Sequence, residues 1–265
     1  MALCIAQLTD VHISNTRPEC AANLAEAVAT IVAMRRQPDL VLVTGDLTDL
    51  NIDSEYDDLC RLLAPLPMPW EAIRGNHDTR LQHLVGHRAV TLEPLCVLLM
   101  DSANERFTEG DADWLDRHLA SCDRPTVIAI HHPPFETGVW WMDCIGLRGA
   151  DLFEQVVRRN PHVAKVLSGH VHRPVQTSWG PTQLWVGPST AVQNAPTLDR
   201  ADLPAVSAEP PAFSVHLWNG STFVSHVVPV GPSAATRPLS DLIADYAPFD
   251  RQLAKLDASR ASLFR

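Results

Sequence analysis

Six short stretches of this chain are mostly apolar: residues 3–8, 40–43, 70–73, 96–100, 126–130 and 163–167. Each has the length of a strand. A continuous apolar run, as opposed to strict alternation, predicts a strand covered on both faces. Between the runs the period changes. Residues 20–36 place Leu24, Ala27, Val28, Ile31 and Val32 at helical spacing, and Pro38 ends that helix. Residues 54–63, 112–121 and 149–159 read as further helices, with Trp114, Leu115 and Leu119 on one face of the second. Strands alternating with helices predict an α/β fold.

After His172 the pattern shifts. Residues 174–179, 183–186, 213–218 and 222–230 alternate or are rich in β-formers, which predicts a second, more antiparallel sheet. Asn219-Gly220 between the last two reads as a two-residue hairpin turn. Residues 189–211 are rich in proline and read as a long loop, a kind of segment that often carries function. Residues 1–230 are expected to form one domain. Residues 231–238 are expected to be a linker, and 239–265 a helical extension outside the core.

Composition narrows the classes of function. With 265 residues, 46% hydrophobic and 20% charged, the chain is globular and long enough for a large core. The formal net charge of −10 argues against long nucleic acid as a partner, because phosphate backbones require clustered Lys and Arg. The six cysteines are scattered, with no C-x-x-C pair, and suit a reducing compartment. The N-terminus enters a strand at once and no run approaches a membrane span, so the expectation is a cytoplasmic protein.

The ends of the apolar runs carry the candidate chemistry. Asp10-Val11-His12, Gly45-Asp46, Gly75-Asn76-His77-Asp78, His131-His132 and Gly169-His170-Val171-His172 each follow one run. In extended backbone Asp10 and His12 face the same side and reach one ion. Asp46 has two oxygens with which to bridge ions, and Gly45 permits a tight turn and close backbone approach. Asn76 offers a neutral amide oxygen. His131, His170 and His172 offer imidazoles suited to Fe, Mn, Zn or Co. The C-terminal edge of an α/β sheet is where such folds assemble sites. Two metals held by O and N donors promote in-line displacement at phosphorus.

In that order, D-x-H, G-D, G-N-H-D, H and G-H-x-H resemble the calcineurin-like metallophosphoesterase superfamily, from Asp10 to His172. The resemblance implies a four-layer α/β/β/α sandwich with two mixed sheets and two divalent metal ions. It implies that Asp10, His12, Asp46 and His172 hold the first ion. Asp46, Asn76, His131 and His170 would hold the second, and a bridging hydroxide would attack phosphorus. His77 stays off the metals, free to bind a phosphoryl oxygen beside Asn76 or to protonate the leaving group, and Asp78 is expected to fix its tautomer. His132 is expected to support the site without ligating.

Phosphoprotein phosphatases of the superfamily carry G-D-x-x-D-R-G, whereas this chain reads Gly45-Asp46-Leu47-Thr48-Asp49-Leu50-Asn51. Gly75–Arg80, the His131–Phe135 run, residues 139–143 and the proline-rich loop after Gly187 resemble the bacterial cyclic-nucleotide and glycerophosphodiester phosphodiesterases. That branch implies hydrolysis of a small phosphodiester and a homodimer or higher homo-oligomer. A phosphomonoesterase or nucleotide pyrophosphatase is the alternative on the same scaffold. A non-enzymatic binding module is disfavoured, because every ligand position is filled. Trp140, Trp141 and Met142 read as the wall of a substrate pocket or equally as a subunit contact, with plain core packing the other reading.

Overall fold

The computed structural model describes residues 2–231. The first half contains β1 (Leu3–Leu8), α1 (Pro18–Ala33), β2 (Leu40–Thr44), α2 (Asp53–Leu63), β3 (Trp70–Ile73), β4 (Arg88–Leu92), β5 (Leu95–Met100) and α3 (Glu109–Ala120). There follow β6 (Thr126–Ile130), α4 (Trp140–Asp143), α5 (Ala150–Arg158), β7 (Val163–Ser168), β8 (Val175–Trp179), β9 (Thr182–Val186), β10 (Ala212–Trp218) and β11 (Phe223–Pro229). The expected helical extension at 239–265 lies outside the described residues.

The strands form two mixed sheets, ordered β11-β10-β1-β2-β3 and β4-β5-β6-β7-β9-β8. Burial explains the layering. Successive side chains of a strand point to opposite faces. Ala6 and Leu8 of β1, with Val41 and Val43 of β2, meet Leu24, Val28 and Ile31 of α1 and Leu59 and Leu63 of α2. Ile5, Leu40 and Leu42 face the other way and meet Val97, Leu99, Val127, Ala129 and Leu167 of the second sheet. The far face of that sheet, through Leu98, Ile128, Ile130 and Val166, is covered by Leu115 and Leu119 of α3 and Phe153, Val156 and Val157 of α5. The result is a four-layer α/β/β/α sandwich. Its central strands are mostly apolar because both faces are covered, with Gln7 and Lys165 as buried exceptions.

The strands after His172 do not make a sheet of their own. β10 pairs antiparallel with β1, while β9 pairs parallel with β7. Hairpin partners β11 and β8 then close one edge of each sheet. The expected antiparallel pairing holds within each hairpin, but the hairpins join two existing sheets, and β10 finds its partner β1 at the other end of the sequence. The turn between β10 and β11 also differs from expectation. Trp218 pairs with Phe223, leaving a four-residue loop in which the Asn219 Oδ1 accepts the Ser221 and Thr222 amides. The short β4 was missed because Arg88 and Thr91 dilute its apolar signal.

The C-terminal ends of β1, β2, β3, β6 and β7 converge on one rim, where the two sheets are tied together. The Gln7 amide donates to the Ser168 carbonyl, and His131 Nδ1–H donates to the Thr44 carbonyl.

Candidate metal centre

The loops at this rim are bent into unusual backbone conformations. Among the described residues, seven non-glycine residues have positive φ, and five of them are Asp10, His12, Asp46, His170 and His172. Left-handed backbone of this kind costs on the order of 1–3 kcal/mol at a residue with a side chain and persists only where its surroundings fix it. Here Asp10 N donates to the Gly45 carbonyl and His12 N to the Asp46 carbonyl, both at 3.0 Å. His170 N donates to the Asp10 carboxylate at 2.9 Å. Asp10 (φ 50°) and His12 (φ 44°) therefore converge through a turn, and the expected extended backbone is absent. The glycines are equally constrained. A Cβ at Gly45 (φ +91°) would lie 2.4 Å from the His131 ring, and one at Gly75 would lie 2.2 Å from Asp46 Oδ1.

Seven side chains meet in two sets around Asp46. In the first, His12 Nε2 lies 3.0 Å from His172 Nε2 and 3.7 Å from Asp46 Oδ2, while His172 Nε2 lies 3.5 Å from Asp10 Oδ1. In the second, His131 Nε2 lies 3.4 Å from Asp46 Oδ2 and 3.3 Å from Asn76 Oδ1, and His170 Nδ1 lies 3.1 Å from Asn76 Oδ1. One carboxylate oxygen, Asp46 Oδ2, serves both sets.

The donor chemistry fits divalent cations. His131 Nδ1–H donates to the Thr44 carbonyl and His172 Nδ1–H to the Val192 carbonyl, both at 2.9 Å. In the neutral rings that a metal requires, these bonds leave each Nε2 as a lone pair. His12 Nδ1 faces the Asp49 carboxylate at 3.3 Å, which directs its Nε2 inward as well. The inward atoms are thus lone pairs and carboxylate oxygens packed against one another, an arrangement that positive charge between them would stabilise. Mixed imidazole, amide and carboxylate donors suit first-row divalent metals.

Protonation follows the same logic. Burial pushes Asp10 up to about 6, against the pull of His131 and His12. Burial acts on Asp46 in the same direction, but His131, His12 and His77 outweigh it and hold Asp46 well below the usual carboxylate range. Burial would lower His131, yet Asp46 and Asp10 raise it to about 9, so a cation taken up at its Nε2 would displace a proton. Burial lowers His170 to about 3 and His172 to about 4, so both are neutral and available as ligands.

His77 lies beside the first set, its ring edge-on to His12 at 4.8 Å between centroids. Its backbone N donates to Asp46 Oδ1, and its Nδ1 lies 3.1 Å from the Asp49 carbonyl. The expectation for Asp78 needs correcting. Its buried carboxylate accepts from Leu47 N, Thr48 N, the Thr48 hydroxyl and Gly75 N, tying the Asp46 loop to the Asn76 loop. Its hydrogen bonds go to these four donors, and the His77 ring is held by the Asp49 carbonyl instead.

His132 is buried, with Nδ1 2.9 Å from the Ser102 hydroxyl and its ring 4.5 Å from that of His170. His216 is a core residue, bonded between Ser225 and Gln7 in the layer between the sheets. Sequence reasoning missed Asp49 and Arg17 as site residues. Arg17 holds the Asp49 carboxylate at 2.6 Å, and both line the cleft over the ligands. The G-D-x-x-D spacing was the available signal for Asp49; Arg17 gave none.

Residues 4–174 match the family model described as calcineurin-like phosphoesterase. A probable cyclic nucleotide phosphodiesterase of Synechococcus is 33% identical over 223 residues, covering 77% of this chain and 86% of that protein. A 3′,5′-cyclic adenosine monophosphate phosphodiesterase of Escherichia coli is 30% identical over 213 residues, covering 72% and 78%. A glycerophosphodiester phosphodiesterase of Enterobacter lignolyticus is 26% identical over 254 residues, covering 84% and 89%.

Proposed function

This chain belongs to the calcineurin-like phosphoesterase family, and from that premise we propose that it is a metal-dependent phosphodiesterase whose substrates are small diesters, 3′,5′-cyclic nucleotides first among them. The observation that carries the reading is the division of seven donors into two sets that share Asp46 Oδ2. Asp10, His12, Asp46 and His172 would hold one ion, and Asp46, Asn76, His131 and His170 the other. Two such ions, when bound, supply an acidified water and offset the charge that develops on the phosphoryl oxygens.

The chain's own groups do the rest. Asn76 contributes an oxygen without charge, and its loop sets His77 beside the scissile bond. The Asp49 carbonyl holds the His77 Nδ1 proton, so Nε2 is the atom that delivers a proton to the leaving alkoxide. Asp49 also aims His12 through its carboxylate. No side-chain nucleophile is required. The two cyclic-nucleotide relatives are more similar than the glycerophosphodiester relative, which ranks the cyclic substrates first. No helix among the described residues is long and apolar enough to cross a membrane. All six cysteines are free thiols, which supports a cytoplasmic setting.

The test is a turnover panel on manganese-reconstituted protein: bis(p-nitrophenyl) phosphate, p-nitrophenyl phosphate, cyclic AMP and glycerophosphoethanolamine. The expected result is diester turnover well above monoester turnover, with cyclic AMP the better natural diester. Monoester preference would move the protein to a phosphatase.

A further inference from the structure

The cleft above the ligands has a volume of about 340 Å³, which is within the range of small-molecule sites. Its lining is divided in chemistry. Arg17, Asp49 and His77 border the His12 side. Trp141, Met142, Ile145 and Val192 form an apolar wall near His170 and His172. The Val192 carbonyl orients His172. Val171, between the two ligand histidines, packs with Met142 in a small cluster against which Trp141 rests. Phosphoryl transfer needs no aromatic surface there, and a glycerol or ethanolamine group would not use one.

The Trp141 indole is fixed in place. Its Nε1–H donates to the Thr197 hydroxyl at 3.1 Å. The neighbouring Trp140 donates its backbone N–H to the Thr197 carbonyl and its Nε1–H to the Asp202 carbonyl. Through these bonds α4 and the proline-rich loop clamp each other. Trp141 lines the cleft with its N–H already bonded and part of its surface on the Val139–Met142–Val171–Val186 cluster, so its contribution there is the apolar indole ring. A ring held this way loses little freedom when a ligand arrives, and stacking accepts any heteroaromatic base.

We propose that the Trp141 indole is the stacking platform for the base of a nucleotide substrate, placed so that the phosphate at the ligand cluster and the base on the ring are bound together. This rests on the phosphodiesterase reading and narrows it to nucleotides.

The deciding experiment is calorimetric binding of 5′-AMP and of inorganic phosphate to manganese-loaded wild type, Trp141→Leu and Trp141→Phe. In wild type, AMP should bind at least about tenfold more tightly than phosphate. Trp141→Leu should abolish most of that margin while phosphate affinity stays within about threefold; Trp141→Phe, which keeps a ring, should retain the margin. In steady-state assays on cyclic AMP the Leu variant should show its defect in KM. Two outcomes overturn the platform. One is equal binding of AMP and phosphate in wild type. The other is a Leu variant that weakens both ligands alike, which would make Trp141 only a clamp for the loop that orients His172. The two readings fail separately. A clear AMP margin without diester turnover sinks the hydrolase and leaves the platform standing; turnover without the margin sinks the platform alone.

Discussion

The Nδ1 atom of His77 lies 3.1 Å from the backbone carbonyl of Asp49, so main chain aims the ring and no carboxylate does. General-acid help matters most for a poor leaving group. His77→Ala should therefore lower kcat on cyclic AMP by about 100-fold or more, and much less on bis(p-nitrophenyl) phosphate, whose leaving group departs unaided. Metal content should not change. Equal losses on the two substrates would remove His77 as the proton donor.

Asp78 has a structural role. Replacing it with Ala strands the buried amides of Leu47, Thr48 and Gly75 at once. Each stranded donor costs on the order of 1–3 kcal/mol, so Asp78→Ala should lose about 3 kcal/mol or more. Urea unfolding measures this directly. A variant of wild-type stability that has lost turnover would restore a chemical role for Asp78.

Asp46 and Asn76 test the two-set arrangement. Asp46→Ala removes the shared oxygen and should leave less than one tightly held ion per chain by elemental analysis. Asn76→Ala touches only the second set and should leave about one ion. If Asp46→Ala still carries two ions, the carboxylate does not bridge.

Lys165 is buried on β7 beneath Trp185 and Phe223, with Gln183 as its hydrogen-bond partner. Burial lowers it from 10.5 to about 8. Between those values the unfolded chain binds more protons than the native one, so stability rises with pH across that window. Below about pH 8 the full cost of the buried charge is present, about 3 kcal/mol at 1.36 kcal/mol per unit. Lys165→Met should stabilise the protein by about 2 kcal/mol at pH 7, after some lost bonding, and the gain should shrink towards pH 10. Paired denaturation curves at pH 7 and 10 read this. Destabilisation at pH 7, or a gain independent of pH, would contradict it.

The candidate site was legible in the sequence because its residues sit at fixed offsets from apolar runs. Asp10, Asp46, Asn76, His131 and His170 each follow a buried strand within a few positions. What spacing does not carry is conformation. The left-handed backbone at Asp10 and His12 depends on amides that bond to Gly45 and Asp46, more than thirty residues away. Asp78 was misread for the same reason, since its partners at Leu47 and Thr48 are remote. The pairing of β10 with β1 joins the two ends of the described chain. The side Trp141 presents to the cleft depends on Thr197, in a loop without a periodic pattern.

Neither set of proposed ligands belongs to a single sheet. Asp10, His12, Asp46 and Asn76 follow strands of the first sheet; His131, His170 and His172 follow strands of the second. Each ion would therefore rivet the two layers together, and its affinity would report how they sit against each other. Binding to the aligned state alone stabilises that state by mass action. Metal retention then becomes a gauge of packing at a distance. Val127→Ala, which hollows the layer between the sheets without touching a ligand, should make both ions easier for a chelator to remove.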